Sequence, residues 1–280
     1  MPEAVGLAFK AYEIEELADV YFFRPLGMVC AVGARALGLT PSIVTLVGAA
    51  VGIVGGALLY DQRLGLLGFV VVIVHSVIDS ADGQLARMTG QVTDFGRVLD
   101  GVGGYLTHAA IFLAIGASML DRHGAGLVTA LLAGSAISSI LHAQMYDYHR
   151  GAYARIVVRR EAARPAKTNR HRVVRAYEAM QRMLSGDHER VEAAIAERSA
   201  NPIFRDNDRV AYRSCFYWPV RGWNAMGDNT RFYAIGVLAW LHRLDWFFGF
   251  VLLPMNAAFA VLWVWQRRAD RRFLAGLVIP

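Results

Sequence analysis

Residues 79–104 read DSADGQLARMTGQVTDFGRVLDGVGG, and this stretch decides how the rest of the chain is interpreted. Asp79 and Asp82 end one apolar run, and Asp100 lies inside the next one. Carboxylates inside a membrane-spanning segment are energetically expensive, so each of them indicates a function. On a helix that turns about 100° per residue, Asp79 and Asp82 share one side, and Asp100 shares a face with Gly104. Two consecutive helices are therefore predicted to present three carboxylates to one polar cleft.

The composition of the whole chain supports a membrane protein. Of its 280 residues, 55% are apolar and only 19% are charged, and the mean hydropathy is +0.34. Ordinary soluble domains contain about 25% charged residues. This composition excludes disordered, fibrous and ordinary soluble classes. The predicted fold class is an all-α polytopic membrane protein.

Six apolar stretches are predicted to cross the membrane, since about 20 apolar residues span a bilayer core. The fifth is marginal and needs its flanking residues to reach that length. The six stretches are 41–60, 64–77 with a polar extension, 96–120, 124–145, 231–241 and 246–265.

Four regions follow from this division of the chain. Residues 1–40 are predicted to hold an interfacial amphipathic helix over 9–24, ended by Pro25, and an apolar lead-in. Residues 41–147 hold the first four spans with the carboxylates. Residues 148–230 form a basic helical insertion, and residues 231–280 hold the last two spans and a basic tail. Within the insertion, 170–199 is predicted to be helical, and the aromatic and basic stretch 203–223 suits an interfacial segment or a lid.

The distribution of basic residues predicts the orientation. More than half of the 29 Lys and Arg residues lie between Arg150 and Arg231, and the C-terminal tail adds four arginines. Basic residues favour the cytoplasmic side of a membrane. We therefore expect both termini and the carboxylate site on the cytoplasmic side, in a bacterial inner membrane. The net charge of +6 is too small to indicate a nucleic-acid partner, and none is expected.

The three carboxylates are predicted to bind a metal. Gathered in a medium of low dielectric constant, they repel one another unless cations neutralise them. Hard oxygen ligands select Mg²⁺, Mn²⁺ or Ca²⁺. Arg87, close by in the sequence, suits a phosphate group. A divalent metal and a phosphate at an intramembrane site indicate phosphoryl transfer with a lipid-accessible substrate.

The spacing of these residues resembles that of the CDP-alcohol phosphotransferases, also called CDP-alcohol phosphatidyltransferases. The motif of that family is D-x2-D-G-x2-A-R-x8-G-x3-D-x3-D. The six-span plan resembles the family too, as does the sequence PSIVT over 41–45, which is similar to the family's Pro-Asn-x-x-Thr. The resemblance covers roughly 40–147 well. The sequence matches the motif at seven of eight positions: Asp79, Asp82, Gly83, Ala86, Arg87, Gly96 and Asp100.

This resemblance implies a chemistry. A substituted phosphate would pass from a CDP-linked donor, expected to be CDP-diacylglycerol, to an alcohol whose identity stays open, and CMP would leave. Asp79, Asp82 and Asp100 would hold Mg²⁺ or Mn²⁺. The family also implies a homodimer. The residues expected to bind substrate are Gly83, Ala86, Arg87 and Gly96.

Two further candidates for substrate binding have equally good structural explanations. Thr45 either serves the site or bonds only to its own helix. Arg231 either binds an acceptor phosphate or anchors a helix end on the positive side of the membrane. His75, one turn before Asp79, is predicted to be an ordinary core histidine.

The eighth motif position departs from the family, because Gly104 stands where the family has a fourth aspartate. The resemblance implies that this aspartate deprotonates the acceptor hydroxyl, which glycine cannot do. Four explanations stay open. His108, four residues further along, could be the base; Asp94, in the predicted connecting loop, could move in; the acceptor's own phosphate could act; or the chain does not turn over.

Two other function classes therefore stand beside the transferase. A catalytically silent relative would keep the pocket for metal and a CDP-linked ligand as a binding module. A divalent-cation transporter would use the same carboxylates without any nucleotide.

Overall fold

The computed structural model describes residues 12–161, 185–199 and 201–277, with the side chains of 202–205 left out. Every regular element in these ranges is helical, which confirms the predicted all-α class. Ten α-helices, α1 to α10, follow one another along this part of the chain. They are Arg24–Ala36, Pro41–Leu58, Gly65–Thr89, Asp94–His123, Ala125–Tyr153, His188–Arg198, Pro202–Trp223, Asp228–Trp240, Phe247–Phe250 and Asn256–Leu277.

Five helical segments are long and apolar enough to cross a membrane. At most 39% of the most apolar window in each is buried within the protein, so much of their apolar surface faces outward, as lipid contact requires. The remaining predicted span corresponds to α8, which has only 13 residues. A total of six spans therefore stays a prediction. The five segments are Pro41–Leu58, Gln62–Thr89, Asp94–His123, Ala125–Val158 and Leu244–Leu277.

The N-terminal region differs from its prediction. A helix over 9–24 that ends at Pro25 is wrong, since a π-helical turn over Asp19–Phe23 runs directly into α1, which continues to Ala36. Residues 9–11 lie outside the described part of the chain. Pro25 stands in the first turn of α1, where a missing backbone N–H is tolerated, and so it does not break the helix.

Glycines bring α2 close to α3 and α4. A Cβ added at Gly52 would lie 2.2 Å from Thr107 Oγ1, and one at Gly56 would lie 2.8 Å from the backbone nitrogen of Ile111. A Cβ at Gly55 would meet the backbone nitrogen of Val72 at 2.9 Å. Small residues at these positions allow helix backbones to approach closely in a membrane. This contact fixes the relative positions of the helices that carry the carboxylates.

The contacts divide the chain into two compact units. The first contains Met1–Ser138 and Asp228–Pro254, and therefore all of α1 to α4 with α8 and α9. In it, α3 also packs against α1 and α8. The second unit contains Ser139–Gly227 and Met255–Pro280.

The second unit holds a polar cluster inside an aromatic core. His188 Nδ1 lies 2.7 Å from Asp270 Oδ1, and His188 Nε2 lies 2.9 Å from the hydroxyl of Tyr212. All three side chains are fully buried. Burial raises the pKa of the Tyr212 hydroxyl well above its ordinary value, so it stays protonated. Trp223 and Gln266 complete the cluster through a hydrogen bond of 3.2 Å.

The predicted insertion is only partly described by the structure. The fourth span continues through a π-helical turn, Ala154–Val158, while Pro165 and residues 170–184 lie outside the described part. The stretch 203–223 lies within α7. Its residues Tyr212, Phe216 and Trp223 are fully buried, so these aromatics belong to the core rather than to an interfacial surface or a lid. Trp218, in contrast, is 64% exposed, and for this residue an interfacial position stays a prediction.

Candidate active site

Three carboxylates meet where α3 and α4 face each other. Asp79, Asp82 and Asp100 each present one oxygen, and these atoms all lie within 4.8 Å of one another. Asp82 is buried, whereas Asp79 and Asp100 are exposed. The arrangement expected from helix geometry is therefore present, with one carboxylate fixed in the packing and two facing open space.

The connection between the two helices sets this geometry. Gly90 ends α3 in the left-handed conformation, with φ of 69°, and three further residues lead into α4. The side chain of Thr93 then caps α4 by accepting a hydrogen bond of 3.0 Å from the backbone nitrogen of Gly96. The short turn and the cap determine how α4 follows α3, and both helices pack against α2.

Asp82 is held from α2. The Oγ1 atom of Thr45 lies 2.6 Å from Asp82 Oδ2 and 3.0 Å from the carbonyl oxygen of Pro41. Both explanations offered for Thr45 are therefore present at once, since its hydroxyl touches its own helix and a site carboxylate. A hydroxyl that orients a carboxylate in this way is typical of the residues behind metal ligands.

The donor set fits a hard divalent cation. Three carboxylate oxygens within 4.8 Å of one another carry up to three negative charges in a membrane segment. Their mutual repulsion is relieved by protonation or by a cation. Arg87 is near enough to Asp82 for its charge to act on that carboxylate, but one guanidinium offsets only one of the three charges. Oxygen ligands in this number suit Mg²⁺ or Mn²⁺ completed by water and substrate oxygens.

The small residues of the motif leave space around the carboxylates. A Cβ at Gly83 would meet only the guanidinium of Arg87, at 3.4 Å, and one at Gly104 would have no atom within 4 Å. Gly96 would meet only its capping residue, Thr93. These glycines are therefore not needed for helix packing. The close approach of backbones comes instead from the glycines of α2, which the sequence analysis did not single out.

His75 has the structural role that was predicted for it. Its side chain is 6% exposed, and its Nδ1 atom lies 2.8 Å from the carbonyl oxygen of Gly48. This contact ties α3 to α2 one turn away from Asp79.

Asp94 is not in a loop. It is the first residue of α4, and its carboxylate is 92% exposed and paired with Arg97 one turn further on. The predicted location of Asp94 in a connecting loop is therefore wrong, and its pairing with Arg97 offers no support for the alternative in which it replaces the missing aspartate. A carboxylate at this end of a helix has an ordinary explanation in the helix dipole.

His108 and Arg231 are brought together by a residue that the sequence analysis missed. His108 Nε2 and Arg231 Nη1 each lie 3.2 Å from the same atom, Oδ1 of Asp228. Asp228 begins α8 and is 54% exposed. The sequence did contain a signal for Asp228. This carboxylate stands shortly before an apolar run, much as Asp100 stands inside one.

Comparison with known proteins agrees with this site. Residues 38–171 match the family model described as CDP-alcohol phosphatidyltransferase. A phosphatidylinositol phosphate synthase of Mycolicibacterium smegmatis is 36% identical over 106 residues, which cover 38% of this chain and 46% of that protein. An archaetidylinositol phosphate synthase of Pyrococcus horikoshii is 35% identical over 86 residues, which cover 31% of this chain and 45% of that protein.

A phosphatidylinositol phosphate synthase of Mycobacterium tuberculosis is 33% identical over 83 residues, 30% of this chain and 38% of that protein. The matched part of the chain thus spans less than half of the length of each of these relatives. No solved structure matches the chain significantly. The matched range contains the three carboxylates, Thr45 and every motif position, so the similarity of residues 38–171 to the CDP-alcohol phosphatidyltransferase family includes the whole candidate site.

Proposed function

We propose that this chain is a membrane transferase that moves a substituted phosphate from a CDP-linked donor to an alcohol and releases CMP, as a step of phospholipid synthesis. The observation that carries the proposal is the meeting of Asp79, Asp82 and Asp100 within 4.8 Å at the membrane-embedded ends of two helices. A cation site alone would explain the carboxylates. Their place inside a domain of this family, beside Arg87 and open glycines, favours transfer of a phosphate.

Each side chain has a defined task in this reaction. Asp79, Asp82 and Asp100 would hold one or two Mg²⁺ or Mn²⁺ ions, with Asp82 oriented by Thr45. When bound, such an ion neutralises the donor's pyrophosphate and stabilises the leaving oxygen of CMP. Arg87, one turn beyond Asp82 along α3, adds positive charge for the same phosphates.

The nucleotide fits the open side of the same helices. Gly83 and Gly96 offer backbone without side chains, and Ala86 is partly exposed beside them. A flat base and ribose can therefore approach the helices closely. The acceptor hydroxyl attacks phosphorus in line, the bond from phosphorus to the CMP oxygen breaks, and CMP leaves with that electron pair.

CDP-diacylglycerol is the donor that best suits a site embedded in spanning helices. Its acyl chains would lie in the bilayer against the exposed apolar surfaces of the spans, while the pyrophosphate reaches the carboxylates. The distribution of arginines supports a site on the cytoplasmic side, and our proposal includes a bacterial inner membrane as its location. We include a homodimer in this proposal on the strength of the family resemblance.

An inositol phosphate is the first acceptor to test. The relatives named above are phosphatidylinositol phosphate and archaetidylinositol phosphate synthases, and a phosphorylated inositol acceptor would give products of that kind. Glycerol phosphate and serine would react with the same donor and are the acceptors to compare with inositol phosphate. Arg231 stays a prediction as a ligand for the acceptor phosphate; its guanidinium contacts Asp228 and is almost fully buried.

The decisive experiment supplies labelled CDP-diacylglycerol, Mn²⁺ and each acceptor in turn to membranes that contain the protein. We expect CMP release together with one labelled phospholipid, identified by mass spectrometry. An Asp82→Asn variant in the same membranes is the control, since it should release no CMP. Equal CMP release by both proteins, or none from either, would contradict the proposal.

A silent binding module is the second candidate, and Gly104 favours it. The position of the family's fourth aspartate is empty space in this structure. Under this alternative the protein binds CDP tightly in the presence of Mn²⁺ but releases no CMP with any acceptor. Mn²⁺ flux into liposomes without nucleotide would instead indicate a transporter.

A further inference from the structure

The first unit contains a histidine–aspartate pair that the metal site does not use. His108 on α4 and Asp228 at the start of α8 lie 3.2 Å apart, and Arg231 Nη1 lies 3.2 Å from the same Asp228 oxygen. Ionised groups at membrane depth are expensive and are retained where they have a function or a partner. Arg231 is 2% exposed, which makes it part of the packing, whereas Asp228 is 54% exposed. The carboxylate is therefore the member of the group that faces open space.

The hydrogen bonds of His108 define where a proton can rest. Its Nδ1 atom lies 2.9 Å from the carbonyl oxygen of Gly104. A carbonyl oxygen only accepts hydrogen bonds, so Nδ1 carries a proton and Nε2 is the basic nitrogen. Nε2 is itself buried, and it points at Asp228. The ring is further fixed by stacking on Phe232, with the two ring centroids 5.8 Å apart.

The pair lies in the same unit as the carboxylates of the proposed metal site and within reach of their charge. Asp228 is near enough for its charge to act on Asp79 and on His75. His108 follows Gly104 by one turn on the same face of α4, so it lies two turns from Asp100 on that face. The pair thus lies within electrostatic reach of the proposed metal site, with His108 one turn beyond the glycine that stands at the eighth motif position.

We propose that Asp228 is the catalytic residue that accepts the proton of the acceptor hydroxyl, with His108 and the buried Arg231 as the residues that position it, in which case Arg231 does not bind the acceptor phosphate. This inference rests on the proposed transferase function. The hydroxyl oxygen forms its bond to phosphorus as its proton passes to the exposed carboxylate of Asp228. The proton then rests in the pair, shared with Nε2 of His108, while CMP leaves with the electron pair of the broken phosphorus–oxygen bond. A carboxylate from α8 thereby replaces one from α4.

The test compares Asp228→Asn with the double variant Asp228→Asn/Gly104→Asp in membranes supplied with CDP-diacylglycerol, Mn²⁺ and inositol phosphate. Loss of a general base typically lowers a rate by roughly 100-fold or more. We expect that loss in kcat for Asp228→Asn, with Mn²⁺-dependent binding of CDP within about threefold of the wild type. The open space at Gly104 can hold an aspartate, so the double variant should recover at least about tenfold.

Controls separate this role from a structural one. Asp121→Asn alters an exposed carboxylate near the other end of α4 and should leave kcat unchanged. His108→Gln keeps a polar side chain beside Asp228 but cannot take a proton, so kcat should fall about tenfold with the KM for CDP-diacylglycerol unchanged. Gly104→Asp alone should change kcat by less than about threefold, since the base is already present.

The outcomes distinguish the two proposals. Suppose that the wild type turns over. The role of Asp228 is then overturned, and the transferase proposal is not, if Asp228→Asn keeps the wild-type rate, if it loses CDP binding, or if Gly104→Asp does not rescue it. A wild type that binds CDP but never releases CMP overturns both proposals together.

Discussion

The two units of this protein use similar side chains in opposite ways. In the first unit, three aspartates converge, and two of them face open space. In the second, Asp270 is fully buried and meets His188 at 2.7 Å, and the histidine in turn meets Tyr212. The second cluster supplies its own donors, whereas the first has an excess of negative charge. In the first cluster, the excess negative charge indicates an external cation, and in the second, a fully buried carboxylate with its own donors indicates a structural role.

The largest expected effect would come from removing one exposed carboxylate of the first cluster. Asp79→Asn should abolish Mn²⁺-dependent binding of CDP, because two remaining carboxylates on a site built for three bind a divalent cation too weakly. Titration of labelled CDP with and without Mn²⁺ measures this loss. The amide keeps the shape of the side chain, so the amount of folded protein in membranes should match that of the wild type. Binding that persists unchanged would place the nucleotide elsewhere.

The second cluster should respond in stability rather than in binding. Asp270→Ala leaves His188 without its carboxylate partner in a fully buried position, which should lower the free energy of unfolding by about 2–3 kcal/mol. Thermal unfolding in detergent measures the change. Mn²⁺-dependent CDP binding by the folded protein should stay at the wild-type value.

Asp187→Ala is the matched control for that substitution. Its carboxylate is 28% exposed and faces Arg190 and Arg271 at 3.4 and 3.7 Å, so its removal should cost less than about 1 kcal/mol. If the two variants unfold at the same temperature, the buried cluster does not stabilise the second unit in the way that its contacts indicate.

A smaller effect is expected behind the metal site. Thr45→Val keeps the side-chain volume but removes the hydroxyl that lies 2.6 Å from Asp82. Loss of such a partner typically weakens metal affinity by roughly 10- to 100-fold. The Mn²⁺ concentration at half-maximal CDP binding measures this shift, which saturating Mn²⁺ should overcome. If the Mn²⁺ concentration at half-maximal CDP binding rises no more in Asp79→Asn than in Thr45→Val, Asp79 would not differ from Thr45 in its importance for the metal. That result would contradict the assignment of Asp79 as a metal ligand and of Thr45 as the residue that orients one.

The sequence predicted the carboxylate cluster because its geometry is local. Asp79, Asp82 and Asp100 lie on two consecutive helices joined by a short turn, so helical periodicity and the turn determine most of their relative position. The fold class was equally accessible, since the spans are long apolar runs. The course of the N-terminal helix was not accessible from the sequence. A proline breaks a helix when it stands in the interior but is tolerated in the first turn, and Pro25 stands in the first turn of α1.

Contacts between distant parts of the chain could not be predicted in this way. Asp228 is 120 residues from its partner His108, and no periodicity relates the two. The same holds for the glycines of α2, whose importance appears only when α4 lies against them. The cluster around His188 also depends on tertiary packing, since Asp270 is 82 residues away from it in the sequence. Side chains that meet through tertiary packing leave no mark of fixed spacing in the sequence.

The smallest expected effect tests where the first cluster ends. Asp94 lies in the same sequence motif as the site carboxylates, yet it is 92% exposed and paired only with Arg97. Asp94→Asn should therefore change neither Mn²⁺-dependent CDP binding nor CMP release by more than about twofold, since exposed pairs contribute little. Both quantities can be measured in the same membranes as those of Asp79→Asn. A large loss of CDP binding or CMP release in Asp94→Asn would mean that the start of α4 takes part in the reaction. The first cluster would then include a carboxylate that has a cationic partner, which the comparison of the two clusters does not allow.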